Sequence, residues 1–267
     1  MAEVLSNLIK SKQSVSHWEG IQVHRLIEPI THSQFADDTI LFGEATMKEA
    51  KGIKEVLDKY SKLLDQVMNM DKSQIFFFNT ERLLQNCISH LLGLKIADLP
   101  LKYLGIRINM GCRQSHIWED VLNSCKIKLE QWKNRWLIQA GRILMIKFVL
   151  SAVPIYSMQC FQMPSLVGAK LDGYLKKFVW DRAKEHKKIP LINWDTMCMR
   201  KEDGGAGLRK MSLQNLALGA KLSWKMYKSP NKLWCRIFQK KYLDSDDFER
   251  IFTIADAYRS SPTWNFL

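Results

Sequence analysis

The sequence has no C-x-x-C pair: its six cysteines stand at 87, 112, 125, 160, 198 and 235, so no two thiols share knuckle spacing. That spacing argues against a metal knuckle, which needs its thiolates and imidazoles a few residues apart. A long unbroken apolar run is also lacking. The most apolar stretch, residues 143 to 163, is interrupted by Lys147 and Pro154, whereas a membrane-spanning helix needs about 20 apolar residues in succession. No basic leader or small-residue cleavage site opens the chain, so the expectation is an intracellular protein, nuclear or cytoplasmic, with reduced thiols and no membrane partner. There is no internal repeat, no low-complexity segment and no histidine in a triad-like arrangement. Aspartate is absent from residues 1 to 36, where the only acids are Glu3, Glu19 and Glu28.

What is present describes a globular protein. The 267 residues are 46% hydrophobic, with nine tryptophans and 25% charged side chains, enough to close a core in one large or two modest domains. The net charge of +13 is unevenly placed. Residues 1 to 110 hold 13 basic and 13 acidic side chains, residues 111 to 243 hold 25 against 9, and residues 244 to 267 hold 2 against 5. A basic region joined to a neutral one suggests a polyanion partner, nucleic acid first, with a merely solvated basic surface as the alternative.

Along the chain, residues 3 to 9 read as an amphipathic helix that begins without a cap, as though cut from something longer. Two short runs rich in Ile, Thr and Phe flank Ala36-Asp37-Asp38 and predict a hairpin with the acids at its turn. Thr46 and Glu49 form a T-x-x-E capping box, and Ile53, Val56, Leu57, Tyr60, Leu63, Leu64 and Val67 follow helical spacing. A short buried strand at 73 to 78, a helix from Thr80 to Leu92 stopped by Gly93, and a β segment at 99 to 108 complete an α+β domain with an antiparallel sheet. From Ser115 the character is helical: one helix to about Gln139, a turn at Ala140-Gly141, and another to Val153, where Pro154 stops it. Helices at 166 to 180, 212 to 228 and 231 to 242 are predicted beyond, with residues 202 to 208 as a loop. The expected domains are 1–110, 111–165 and 166–267.

Adjacent carboxylates on a hairpin turn suit a two-metal phosphoryl-transfer site, which needs hard oxygen ligands facing one cleft and a third carboxylate from another strand. Asp-Asp is also ordinary turn chemistry. On the helical half, Lys126, Lys133, Arg135, Arg142 and Lys147 are spaced to meet successive phosphates. Trp132 and Trp136 share a helix face, where core packing is the better reading than base stacking. The run at 182 to 188 reads as a solvated loop in preference to a nuclear-import patch.

The segment FADDTILFG at 35 to 43 resembles the F/Y-A-D-D hairpin in the palm of LINE-type, non-LTR retrotransposon reverse transcriptases, and the rest of the chain follows that family's order. EVLSNLI at 3 to 9 is similar to the helix leaving the nucleotide-selecting segment, MDKSQIFF at 70 to 77 to the next block, and LPLKYLGIRI at 99 to 108 to the primer-grip hairpin. Residues 129 to 158 resemble the thumb, and the stretches at 178 to 181, 192 to 226 and 233 to 243 resemble the segment after the thumb in plant elements.

The resemblance implies a partial polymerase palm with an antiparallel sheet, a helical thumb and a helical C-terminal extension. It implies Asp37 and Asp38 as Mg²⁺ ligands, Lys72 near the incoming dNTP, Tyr103, Leu104 and Gly105 at the primer end, and an RNA template with a DNA primer as partners. The family's first metal-binding Asp and its fingers have no counterpart in residues 1 to 36, and the chain ends before the family's Cys-rich segment. The expectation is therefore a fragment of an RNA-directed DNA polymerase that is inactive alone and self-associates through an exposed palm edge. The alternative is a non-catalytic nucleic-acid-binding remnant that uses the basic thumb helices.

Overall fold

The computed structural model describes residues 2–15, 17–65, 68–108, 115–133, 137–180 and 190–242, with positions 261, 263 and 266. The chain divides into two compact units: Met1–Met110 with Arg236–Asp246, and Gly111–Cys235 with Asp247–Leu267. The first mixes helices with small sheets; the second is helical where described.

In the first unit, helix α1 (Ala2–Gln13) buries Leu5 and Ile9 against Trp18 and against Val56 of helix α2 (Met47–Leu64). Burying an apolar side chain of that size contributes roughly 1.5–3 kcal/mol, so this small cluster is what fixes α1 on α2. Strands β1 (His32–Phe35) and β2 (Asp38–Leu41) pair antiparallel, with His32 opposite Leu41 and Phe35 opposite Asp38. Leu41 packs onto the α1–α2 cluster, so His32 and Gln34, on the same face by the alternation of a strand, are half-buried, while Thr39 nearer the tip is exposed.

Thr46 caps α2 as the sequence predicts, its Oγ1 accepting the Glu49 N–H at 3.2 Å. The reciprocal half of the capping box does not form. The buried Glu49 carboxylate accepts the N–H of Glu44 at 2.7 Å and of Glu19 at 3.1 Å, which ties together the chain on either side of the hairpin. The other side of α2 packs Ala50 against Ile88 and Leu92 of helix α3 (Arg82–Leu92).

The sheet departs from expectation. In place of one antiparallel sheet, the described residues form three separate two-stranded pairs. Strand β3 (Gln74–Ile75) runs parallel to β4 (Lys95–Ile96), which α3 makes possible because a parallel pair needs a crossover. The third pair, β5 (Leu101–Tyr103) with β6 (Ile106–Ile108), is antiparallel.

In the second unit, helix α4 (Ser115–Lys133) places Trp118, Val121, Cys125 and Leu129 on one buried stripe. They meet Ile146 of α5 (Gln139–Phe148) and Leu171, Leu175 and Phe178 of α7 (Ser165–Trp180) in one core, which therefore spans both sides of residue 165. The turn expected at Ala140-Gly141 is not there: both residues lie in the first turn of α5. Glycine so near a helix start lowers helix propensity by about 1 kcal/mol, too little to end a helix held by packing.

Short helices α6 (Ile155–Met158) and α8 (Trp194–Cys198) precede α9 (Met211–Lys228) and α10 (Leu233–Tyr242). Buried Asn215 of α9 fixes that helix by accepting the Met163 N–H at 2.9 Å and donating to the carbonyls of Met158 at 3.1 Å and Phe161 at 3.0 Å. In the loop before α9, a Cβ at Gly205 would stand 2.2 Å from the Met199 carbonyl oxygen, so the chain passes there only as glycine.

Candidate functional site

Asp37 and Asp38 stand exposed at the tip of the β1–β2 hairpin, whose two-residue turn is Ala36-Asp37. Ala36 takes φ +49, a left-handed conformation that costs a residue with a Cβ roughly 1–2 kcal/mol. The base of the hairpin supports that strained tip. The Trp18 indole N–H donates to the Phe42 carbonyl at 2.8 Å, and the Phe42 N–H donates to the Thr31 carbonyl at 2.7 Å. His32 lies 2.9 Å from the Ser6 hydroxyl on α1 and 3.0 Å from the Thr31 hydroxyl. Burial, with a smaller contribution from Lys10, lowers its pKa. The carboxylates are thus carried on a hairpin that is anchored from below and open above.

Lys72 is exposed in a tight turn, its backbone N–H donating to the Asn69 side chain at 3.1 Å. Tyr103 closes a second two-residue hairpin with Leu104 at φ +47 and Gly105 at φ +83, the doubly left-handed turn that suits right-twisted strands and favours glycine. Among the described residues, neither Lys72 nor this turn forms a hydrogen bond or ion pair with Asp37 or Asp38.

The Asp pair offers the hard oxygen donors that Mg²⁺ prefers. Among the described residues no third His, Cys, Asp or Glu converges on it. A pair of Mg²⁺ ions therefore fits this site in donor type and not in donor number, since holding two metals about 4 Å apart needs ligands from more than one strand.

On the basic helices, Lys126 is exposed, with Nζ 5.6 Å from the centre of the Tyr174 ring. Lys147 is half-buried, its ammonium 3.5 Å from where a Cβ at Gly207 would sit. Arg142 corrects the sequence reading. It is 7% exposed, donates through Nη1 to the Phe178 carbonyl at 2.9 Å and through Nε to the Leu137 carbonyl at 3.3 Å, and lies 5.5 Å from the Phe178 ring centre. A guanidinium so engaged has no route to a phosphate. The Lys133 side chain, Arg135, Trp136 and the run at 182 to 188 lie outside the described residues. Trp132 packs against the core and tilts onto Phe178 at 6.4 Å, the core role its spacing favours.

Sequence reasoning missed Asp172 on α7. Its carboxylate accepts the Met211 N–H at 3.2 Å, capping α9 from a different helix, and burial raises its pKa. No local signal marks a cap that comes from 39 residues away. The described cysteines are all free thiols; burial raises Cys125 to about 11, and burial with Asp172 and Asp195 raises Cys198 to about 11, which removes both as nucleophiles near neutral pH. Among the described residues no helix is long and apolar enough to cross a membrane.

No protein-family model matches the chain. Over 123 residues, 46% of its length, the chain is 33% identical to a candidate ribonuclease H protein of Arabidopsis thaliana, and the match covers 20% of that protein. Over 92 residues, 34% of its length, it is 35% identical to an uncharacterized mitochondrial protein of the same plant, covering 60% of it. The chain thus spans less than two thirds of either relative.

Proposed function

We propose that this chain is a portion of an RNA-directed DNA polymerase from a non-LTR retrotransposon, a partial palm followed by a helical thumb and extension. The observation that carries the reading is the exposed Asp37-Asp38 pair on a braced two-residue hairpin, followed in chain order by Lys72, by the Tyr103–Gly105 turn and by a basic helical unit. The similarity to a candidate ribonuclease H protein supports a retroelement-related origin.

In this reading Asp37 and Asp38 are metal ligands that act with a carboxylate from outside the described residues. Bound Mg²⁺ supplies charge neutralisation at the transferred phosphoryl group. The chain's own contribution is to hold: the hairpin fixes two carboxylates, Lys72 faces the triphosphate, the Tyr103–Gly105 turn supports the primer end, and Lys126 with Lys147 meets the RNA–DNA duplex. With the ligand set incomplete among the described residues, the expectation is that the isolated chain does not extend a primer. Its setting is intracellular, nuclear or cytoplasmic.

A second reading, non-catalytic nucleic-acid binding by the basic helices, is favoured by the lack of a third converging ligand among the described residues. Primer extension on an RNA template with Mg²⁺, beside a duplex-binding titration in varied salt, tests both. Extension abolished by Asp37→Asn sinks the claim that the site is incomplete. No extension, with binding that weakens steeply as salt rises, is the expected result. No duplex binding even at low salt overturns both readings.

A further inference from the structure

Helix α9 carries a feature that the polymerase reading does not use. Trp224 and Tyr227 are 61% and 55% exposed, their ring centroids 5.7 Å apart and their planes tilted by 34°, with Trp224 on the side of the helix away from buried Met226 and Tyr227 about a quarter-turn from it. Exposed Lys228 sets its ammonium 5.1 Å from the Trp224 ring centre and 5.9 Å from that of Tyr227. Lys221 stands one turn before Trp224, and Lys225 lies on the same arc; both are exposed. The buried stripe of α9 runs through Met211, Asn215, Gly219 and Met226, and neither ring belongs to it.

The charge of the neighbouring sequence is one-sided. From Gly204 to Cys235, within this unit, there are six Lys or Arg and no Asp or Glu. A second copy of the chain presenting the same face would be repelled by it. A single-stranded nucleic acid supplies both things the surface asks for: flat bases that stack on indole and phenol, and phosphates for the ammonium groups one turn to either side. The platform is also fixed in place, because Asn215 locks α9 to the main chain at Met158, Phe161 and Met163.

We propose that Trp224 and Tyr227, flanked by Lys221, Lys225 and Lys228, form a stacking platform for single-stranded nucleic acid. The ammonium of Lys228 is placed to meet the phosphate of a nucleotide whose base stacks on the two rings. None of these five residues has a role in the polymerase reading, so the site does not rest on it.

The test is fluorescence anisotropy with the full chain, labelled oligo-dT and oligo-rU, and a duplex of equal length as comparator. Trp224→Ala should weaken single-strand binding roughly 5- to 150-fold, the range for one lost base–aromatic stack. Trp224→Phe should restore most of it, and duplex binding should not change. Lys228→Glu should weaken single-strand binding and lower its salt slope. Any of three results overturns the proposal: single-strand binding by Trp224→Ala equal to wild type, equal losses on single strand and duplex, or sedimentation showing that Trp224→Ala instead dissolves a dimer. If Trp224→Ala unfolds, the Lys228→Glu titration decides. Failure of the polymerase reading shows separately, as absent duplex binding.

Discussion

Replacing Arg142 tests whether its charge serves the fold or the nucleic acid. Phe178 lies in the last turn of α7, where carbonyls have no partner within the helix. Arg142 Nη1 supplies that partner at 2.9 Å and brings positive charge to the negative end of the helix dipole, while Nε holds the Leu137 carbonyl at the start of α5. A hydrogen bond from a charged donor contributes about 1.5–3 kcal/mol, and the two share one side chain, so their loss does not add fully. Arg142→Met keeps the apolar stem and removes the donors, and its expected cost is about 2–4 kcal/mol, or roughly 5–15 °C in Tm for a body of this size. Arg142→Lys keeps the charge but not the planar fork, and should fall between wild type and Arg142→Met. Thermal unfolding by circular dichroism measures this, with duplex titrations run well below the variant's Tm. The reasoning fails if Arg142→Met melts with wild type while its duplex salt slope drops by about 0.9, the signature of one lost phosphate contact.

At the hairpin tip, Ala36→Val should destabilise the first unit by about 1–2 kcal/mol and Ala36→Gly should not, because a β-branched residue tolerates the left-handed turn worst; urea unfolding measures both. His32 has a folded-state pKa below its unfolded value, so its contribution to stability is fully present above the unfolded value of about 6.5 and is lost as pH falls through the folded one. Denaturation midpoints should therefore decline below neutrality, and His32→Gln should flatten that decline. Cys87 is exposed whereas Cys125 is buried with its pKa near 11, so mass spectrometry after brief alkylation of folded protein should find Cys87 modified and Cys125 intact. Equal labelling of the two without unfolding would show that the second core opens freely.

Elements with strong local signals were legible in the sequence. The Asp-Asp hairpin, α2 with its Thr46 cap and the helices α7, α9 and α10 all follow from spacing and punctuation. The misses have a common physical source, which is contacts between segments far apart in the chain. Strand β4 exists only because β3 can pair with it across α3, and nothing in Lys95-Ile96 announces a strand. Glu49 was legible as a capping residue, but the Glu19 N–H that its carboxylate accepts, 30 residues away, could be known only once the loops met. Gly141 misled in the opposite way, since a glycine read as punctuation is carried inside a helix whose packing outweighs its propensity.

The candidate site shows where helical phase should have overruled residue chemistry. Arg142 sits four residues before Ile146 and eight before Leu150, and all three are buried, so the stripe that sends the two apolar residues inward sends the arginine with them. Lys126 lies one residue past buried Cys125, about 100° around the helix, and stays in water. Trp224 and Tyr227 are the inverse case. A pair of aromatics three apart suggests core, yet α9 buries Met211, Asn215, Gly219 and Met226, a stripe that Trp224 and Tyr227 do not share. Charge and aromaticity name the chemistry a side chain is able to perform. Its phase relative to the buried stripe decides whether solvent, and any nucleic acid in it, can reach that chemistry.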